Sequence, residues 1–150
     1  MAAAGADGVR PVPLLWVLAV LVAGCTPSLY RPLILEDGYA STRVNTDTFS
    51  VMFQGNKYTP RDTAETYALY RAAELTLESG FDYFVVIGGN SRALYGASVA
   101  SFTSTAGGEG SEPIVVVLFK AFKGEKPGGA AYSAREVLRE LEPSITRSPG

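Results

Sequence analysis

The chain has no histidine in 150 residues and a single cysteine, Cys25. Without histidine it lacks the side chain most often used as a catalytic base near neutral pH, and without a second thiol it lacks the commonest transition-metal ligands. A lone cysteine also excludes a disulfide within one chain. Basic residues are not in excess: 13 Lys and Arg stand against 15 Asp and Glu, a formal charge of −2, so no nucleic-acid partner is expected. No phosphate loop is complete. Gly88-Gly89-Asn90-Ser91 follows an apolar segment as such a loop would, yet the lysine of a P-loop and the spacing of a dinucleotide fingerprint are missing. A turn needing positive φ is the better account of these glycines. The pattern calls for neither metal nor cofactor.

What is present starts with the surroundings of Cys25. Val12 to Val22 is an uncharged run of eleven residues preceded by Arg10, the order of charge and apolar core found in a secretory signal. As a helix it would reach roughly 16 Å against a hydrocarbon core of ~30 Å, too short to span. Ala23 and Gly24 then supply the small side chains a signal peptidase requires. Leu21-Val22-Ala23-Gly24-Cys25 resembles the lipobox of bacterial lipoproteins: an aliphatic residue, a small or aliphatic one, Gly or Ala, then Cys. The resemblance implies that residues 1–24 are a signal peptide, that the chain is cut between Gly24 and Cys25, and that the Cys25 thiol carries a diacylglycerol, with the new amine open to acylation. Two or three acyl chains at ~0.8 kcal/mol per buried methylene make durable contact with a membrane. In lipoproteins of two-membrane bacteria an Asp after the acylated cysteine signals inner-membrane retention. Thr26 stands there instead, which implies the outer membrane with the domain facing the periplasm. One departure is the segment Met1 to Pro11, which is long, contains Asp7 and has Arg10 as its one basic side chain; initiation at Val9 would give a more ordinary signal.

Residues 25–37 read as a lipidated tether, with two prolines and no clear period between Thr26 and Leu35, folding against the domain near Leu33 to Leu35. Residues 38–143 read as a single domain. Gly38 to Val44 and Thr48 to Gly55 form a hairpin around Asn45 to Asp47, and the alternation of Phe49, Val51 and Phe53 with Ser50, Met52 and Gln54 marks a half-buried strand. Thr59-Pro60-Arg61-Asp62 offers an N-cap hydroxyl, a proline at the first helical position and an acid at the third, predicting a helix to Ser79 with Gly80 as its stop. Phe81 to Ile87 and Ile114 to Phe122 are apolar on both faces and should be neighbouring central strands. Leu94 to Thr103 is a weaker strand candidate; Ser104 to Pro113 and Lys123 to Ala131 are loops. Ser133-Ala134-Arg135-Glu136 is a capping box that opens a short helix with Val137, Leu138 and Leu141 inward, ended by Pro143, and residues 144–150 form a frayed tail. The order β-β-α-β-(β)-β-α makes a two-layer α+β domain with a mostly antiparallel sheet.

The lipobox, Phe53-Gln54-Gly55-Asn56, Thr59, the run Tyr70-Arg71-Ala72-Ala73-Glu74-Leu75-Thr76-Leu77-Glu78-Ser79-Gly80-Phe81-Asp82-Tyr83-Phe84, and Tyr132-Ser133-Ala134-Arg135-Glu136-Val137-Leu138 together resemble a family of uncharacterised bacterial envelope lipoproteins. The likeness covers roughly residues 38 to 142. It implies the architecture and supplies no catalytic residue.

On the long helix, Tyr67, Arg71, Glu74 and Glu78 cluster on one stripe and form the candidate interaction face. Glu74 and Glu78, one turn apart, suit a cation or an acid/base pair, but Arg71 on the same stripe would neutralise them, so a salt-linked face is favoured. Eight tyrosines suit either a protein-binding surface or ordinary packing, with packing favoured. The leading function is a non-enzymatic lipoprotein that binds an envelope protein or the cell wall. A small-ligand binder using a cleft from Gly88 to Tyr95 comes second. A hydrolase using Glu74, Glu78 or Asp82 comes last, because no nucleophile and base pair is evident.

Overall fold

The computed structural model describes residues 26–89 and 112–147. Cys25 and the signal segment, the strand candidate at 94–103 and the cleft residues 90–95 lie outside them. Five strands form one antiparallel sheet: β1 (Gly38–Arg43), β2 (Thr48–Gln54), β3 (Tyr83–Gly89), β4 (Ile114–Phe122) and the two-residue β5 (Tyr132–Ser133), in the spatial order β1-β2-β4-β3-β5. Helix α1 (Arg61–Glu78) lies across one face over β2 and β4, and α2 (Ala134–Leu141) packs beside it. The α+β class and the two long apolar strands as neighbours are as expected. Because β4 is antiparallel to both β2 and β3, those two run the same way, and β2-α1-β3 is a crossover with β4 filling the gap.

The inner layer is built by period-two burial. Phe49, Val51 and Phe53 of β2 and Val115, Val117 and Phe119 of β4 face α1 and are buried. Against them α1 presents Ala64, Ala68, Ala72 and Ala73, whose small side chains let the helix backbone approach the sheet while the phenylalanines fill the space between. The β1–β2 turn is fastened by Arg43, whose Nε and Nη2 donate to the carbonyls of Asn45 and Thr46 at 3.1 and 2.6 Å.

Both ends of α1 were expected to carry local caps, and one does. Gly80, at φ +83°, closes the C-terminus: its N–H reaches the Leu77 carbonyl and the Phe81 N–H the Thr76 carbonyl, both at 3.0 Å, the paired bonds of a Schellman motif. At the other end the N-cap residue is Pro60, not Thr59, and no side chain caps the helix. Thr59 is buried with its hydroxyl committed elsewhere: it accepts the Ser28 N–H at 2.8 Å and donates to Asn56 Oδ1 at 3.0 Å. On α2 the Ser133 side chain does accept the Glu136 N–H, at 3.5 Å.

Three further expectations are corrected. The segment read as a tether joins the fold at Ser28 and Tyr30, both buried, whereas Ile34 and Leu35 point into solvent. The tail is not frayed through Arg147: a 3-10 turn (Glu142–Ser144) follows α2, Ile145 packs on the core, and the Thr146 carbonyl accepts the Tyr30 N–H at 2.8 Å. The segments around Tyr30 and Thr146 thus hold each other. Gly88 and Gly89 belong to β3 rather than to a turn, with a bulge in the β3–β4 pairing between Val86 and Gly88; the positive φ is nevertheless real at Gly89.

Candidate functional site

The stripe predicted on α1 divides in the structure. Tyr67 is a core residue at 2 % exposure, its ring edge-on to Phe53 and Tyr30 with centroids 5.1 and 5.6 Å away. It turns inward because Tyr30 and the segment at Thr146 cover that part of the helix, and its hydroxyl accepts the Thr146 N–H at 3.2 Å. Arg71, Glu74 and Glu78 do meet. Arg71 Nη1 donates to Glu74 Oε2 at 2.9 Å and Glu78 Oε1 at 2.8 Å, and Nη2 donates to Glu78 Oε2 at 2.9 Å, so Glu78 is held bidentately.

Six side chains that no local pattern had singled out complete the cluster. Arg71 Nε reaches Ser41 Oγ on β1 at 3.3 Å, and the guanidinium lies 4.8 Å from the ring centroid of Tyr39. Tyr30 donates its hydroxyl proton to Glu74, and its ring packs against Tyr39, Tyr67 and Tyr70. Next to it Tyr70 donates to Glu142, while Arg147 bridges Glu142 Oε1 at 2.6 Å and the Tyr70 hydroxyl at 2.8 Å. Of the seven tyrosines among the described residues, six, Tyr30, Tyr39, Tyr67, Tyr70, Tyr83 and Tyr132, are buried or half-buried, as the packing account expects. The tyrosine content was a usable signal; the partners, drawn from opposite ends of the chain, were not readable.

Electrostatics follow from this geometry. Burial raises the Tyr30 phenol well above its usual range and the hydrogen bond to Glu74 raises it further, so it stays a neutral donor. Burial, and then the bond to Glu142, pushes Tyr70 up to about 12. Burial works against the Arg71 cation, but the hydrogen bonds to Glu78 and Glu74 outweigh it and hold the charge more firmly. Hydrogen bonds from Arg147 and then Tyr70 lower Glu142 to about 2.

This arrangement is a clasp. It fixes the segment around Tyr30 and residues 142–147 to α1, and each of its carboxylates is matched by a cation or a phenol. The three carboxylates considered for hydrolysis are all engaged: Glu74 and Glu78 with Arg71, and Asp82 with the Gly124 N–H at 3.0 Å. Removing Arg71 would leave two carboxylates facing each other beside a half-buried surface. Arg71→Ala is therefore expected to cost about 1.5–3 kcal/mol, and Arg71→Ala with Glu74→Ala less than the sum of the single variants, as measured by urea denaturation of all three. Additive losses would mean the groups act independently.

The clasp also gives a pH dependence. Because the folded Glu142 titrates at about 2 rather than its ordinary 4.5, its contribution is complete above pH 4.5 and is lost as pH falls towards 2. The urea midpoint should fall over that interval, and Glu142→Gln should flatten its part of the fall. An unchanged slope in the variant would assign the acid sensitivity to other carboxylates.

Two grooves among the described residues share no lining residue with this cluster. A pocket of about 230 Å³ beside α2 is lined by Lys126, Tyr132, Glu136, Val137 and Glu140, smaller than the ~300–1,000 Å³ usual for small-ligand sites. A wider, open groove of about 690 Å³ lies between the 31–37 loop, Asn56 and Glu112. At the tip of that loop Leu35 is 96 % exposed and has φ +64°, a left-handed conformation that costs a non-glycine residue about 1–2 kcal/mol. Of the cleft expected from Gly88 to Tyr95, the described part is backbone packed on backbone, Gly89 lying against the Val116 carbonyl. No helix among the described residues is long and apolar enough to cross a membrane. No family model, curated protein or solved structure matches the chain.

Proposed function

We propose that this chain is a bacterial envelope lipoprotein, cut after Gly24, acylated at Cys25 and held at the outer membrane with its domain in the periplasm, where it serves as a non-enzymatic binding or structural component for an envelope protein or the cell wall. The observation that carries the reading is Leu21-Val22-Ala23-Gly24-Cys25 at the end of an eleven-residue apolar run, with the one cysteine of the chain at the acceptor position. Supporting the non-enzymatic part, the polar cluster of α1 is spent on holding the chain ends, and its carboxylates are paired.

Intact mass of the protein extracted from membranes tests the reading. The expected species starts at Cys25 and carries two or three acyl chains, and Cys25→Ser abolishes both the lipid and cleavage at Gly24. A free Cys25 thiol in that spectrum would sink the proposal. In-cell crosslinking through the domain then identifies the envelope component it contacts.

A further inference from the structure

We infer that Ile34 and Leu35 insert into the bilayer surface beside the acyl chains of Cys25, so that the domain is held against the membrane at two points rather than swinging on a tether. The inference rests on the lipoprotein reading above, from which it takes the position of the lipid.

Three observations carry it. First, the loop tip is apolar where folding gains nothing from it. Leu35 is 96 % and Ile34 57 % exposed, and the positive φ of Leu35 is a conformation that glycine or asparagine accepts more readily. The loop is nonetheless built firmly: Arg31 pairs with Asp37, the Leu33 N–H reaches the Tyr39 carbonyl at 2.7 Å, and the Ile34 N–H reaches the Asp37 carbonyl at 3.3 Å. The result is a braced wedge with two aliphatic side chains at its edge.

Second, this wedge lies at the end of the molecule where the anchor emerges. Asn56 lines the same groove as Ile34 and Leu35, and its Nδ2 donates to the Thr26 carbonyl at 3.0 Å. The next residues are pinned as well, the Asn56 N–H to Ser28 Oγ at 2.7 Å and the Ser28 N–H to Thr59 Oγ1 at 2.8 Å. Thr26 is held at this end of the domain, and consecutive Cα atoms are ~3.8 Å apart, so in the lipoprotein reading the lipid attaches one residue from this point. The β1–β2 turn lies at the far end of six paired residues, about 20 Å off.

Third, the chemistry selects the occupant. With the acyl chains already in the bilayer, the second contact is intramolecular, and a two-residue apolar wedge is sufficient at the resulting effective concentration. Glu36 and Glu112 border the groove, so attraction to anionic headgroups does not drive the contact. Neutral lipid and apolar insertion do.

The test uses the mature acylated protein carrying Leu35→Cys, which is its one free thiol once Cys25 is acylated, labelled with an environment-sensitive fluorophore. The protein is reconstituted into phosphatidylcholine–phosphatidylethanolamine vesicles with or without brominated acyl chains, and Thr46→Cys in the exposed β1–β2 turn is the matched control. Expected is a blue-shifted emission quenched severalfold by brominated lipid at position 35 and neither effect at position 46. Absence of quenching at position 35 in protein whose mass shows an acylated Cys25 overturns the wedge and leaves the anchor standing. An unacylated mass overturns both. A blue shift that follows protein density in the vesicles and is insensitive to bromine would assign the loop to a second protein copy and also overturn the inference.

Discussion

Tyr30→Ala is expected to destabilise the domain by about 3–5 kcal/mol, the range for deleting a buried aromatic ring. Tyr30 is 6 % exposed, touches three other tyrosine rings, and is the donor to Glu74. Its loss would open a cavity between α1 and β1 and strip Glu74 of its phenol donor. Tyr30→Phe keeps the ring and removes only the hydroxyl, so its cost should be closer to about 1.5–3 kcal/mol. The same reasoning applies to a chain that begins at residue 36 and so lacks most of the segment read from sequence as a tether: it should unfold at a much lower urea concentration than one beginning at residue 26. Equal midpoints for the two chains would show that residues 26–35 sit on the domain without stabilising it.

Gly89→Ala is expected to be comparably damaging, by two mechanisms that add. A Cβ at this position, just past the bulge in the β3–β4 pairing, would stand 2.0 Å from the Val116 carbonyl oxygen, and φ is +125°. Left-handed or more strained backbone costs about 1–3 kcal/mol and overpacking about 1–3 kcal/mol more. Gly80→Ala is the internal control. Its φ of +83° is also positive, but a Cβ there meets nothing within 4 Å, so the backbone term alone remains and the loss should be about 1–2 kcal/mol. Thermal or urea unfolding of the two variants separates the terms; equal losses would mean that β4 moves aside at Gly89 without cost.

These two expectations bear on opposite halves of what was readable in advance. Gly80 was legible as a helix stop because the signal is contained in one turn: an apolar helical stretch, then the residue that accepts positive φ. The hairpin around Asn45 to Asp47 was legible for the same reason, as was the inward set Phe49, Val51 and Phe53. The Arg71–Glu74–Glu78 cluster follows from helical spacing, which returns residues three and seven positions on to nearly the same face. Tyr67 shares that spacing and still went the other way. Spacing gives the angle of a side chain around its own helix; whether that angle meets solvent depends on what is laid over the helix, and here that is Tyr30 and the segment at Thr146.

Thr59 shows the limit most directly. Its sequence context, a hydroxyl two residues before the first helical residue and next to a proline, is compatible with an N-cap and with any other buried donor that arrives. The donor that arrives is Ser28, 31 positions away. The tail behaves in the same way: Glu142 and Arg147 carry no periodic signal, and they are ordered because Tyr70, 72 and 77 positions distant, supplies a hydroxyl to both.

By itself, then, the sequence determined what depends on near neighbours: the α+β class, the ends of most elements and the inward faces of the long strands. Those features follow from rotation per residue, from backbone preferences and from burial of alternating side chains, all of which act within about a dozen residues. The tertiary structure decided which segments close over the helix, which partner each buried hydroxyl takes, and that Gly89 rather than a turn needs the freedom of glycine. These are outcomes of long-range packing, in which a buried polar group must find a partner among whatever the fold brings within ~3 Å, and no local pattern names that partner.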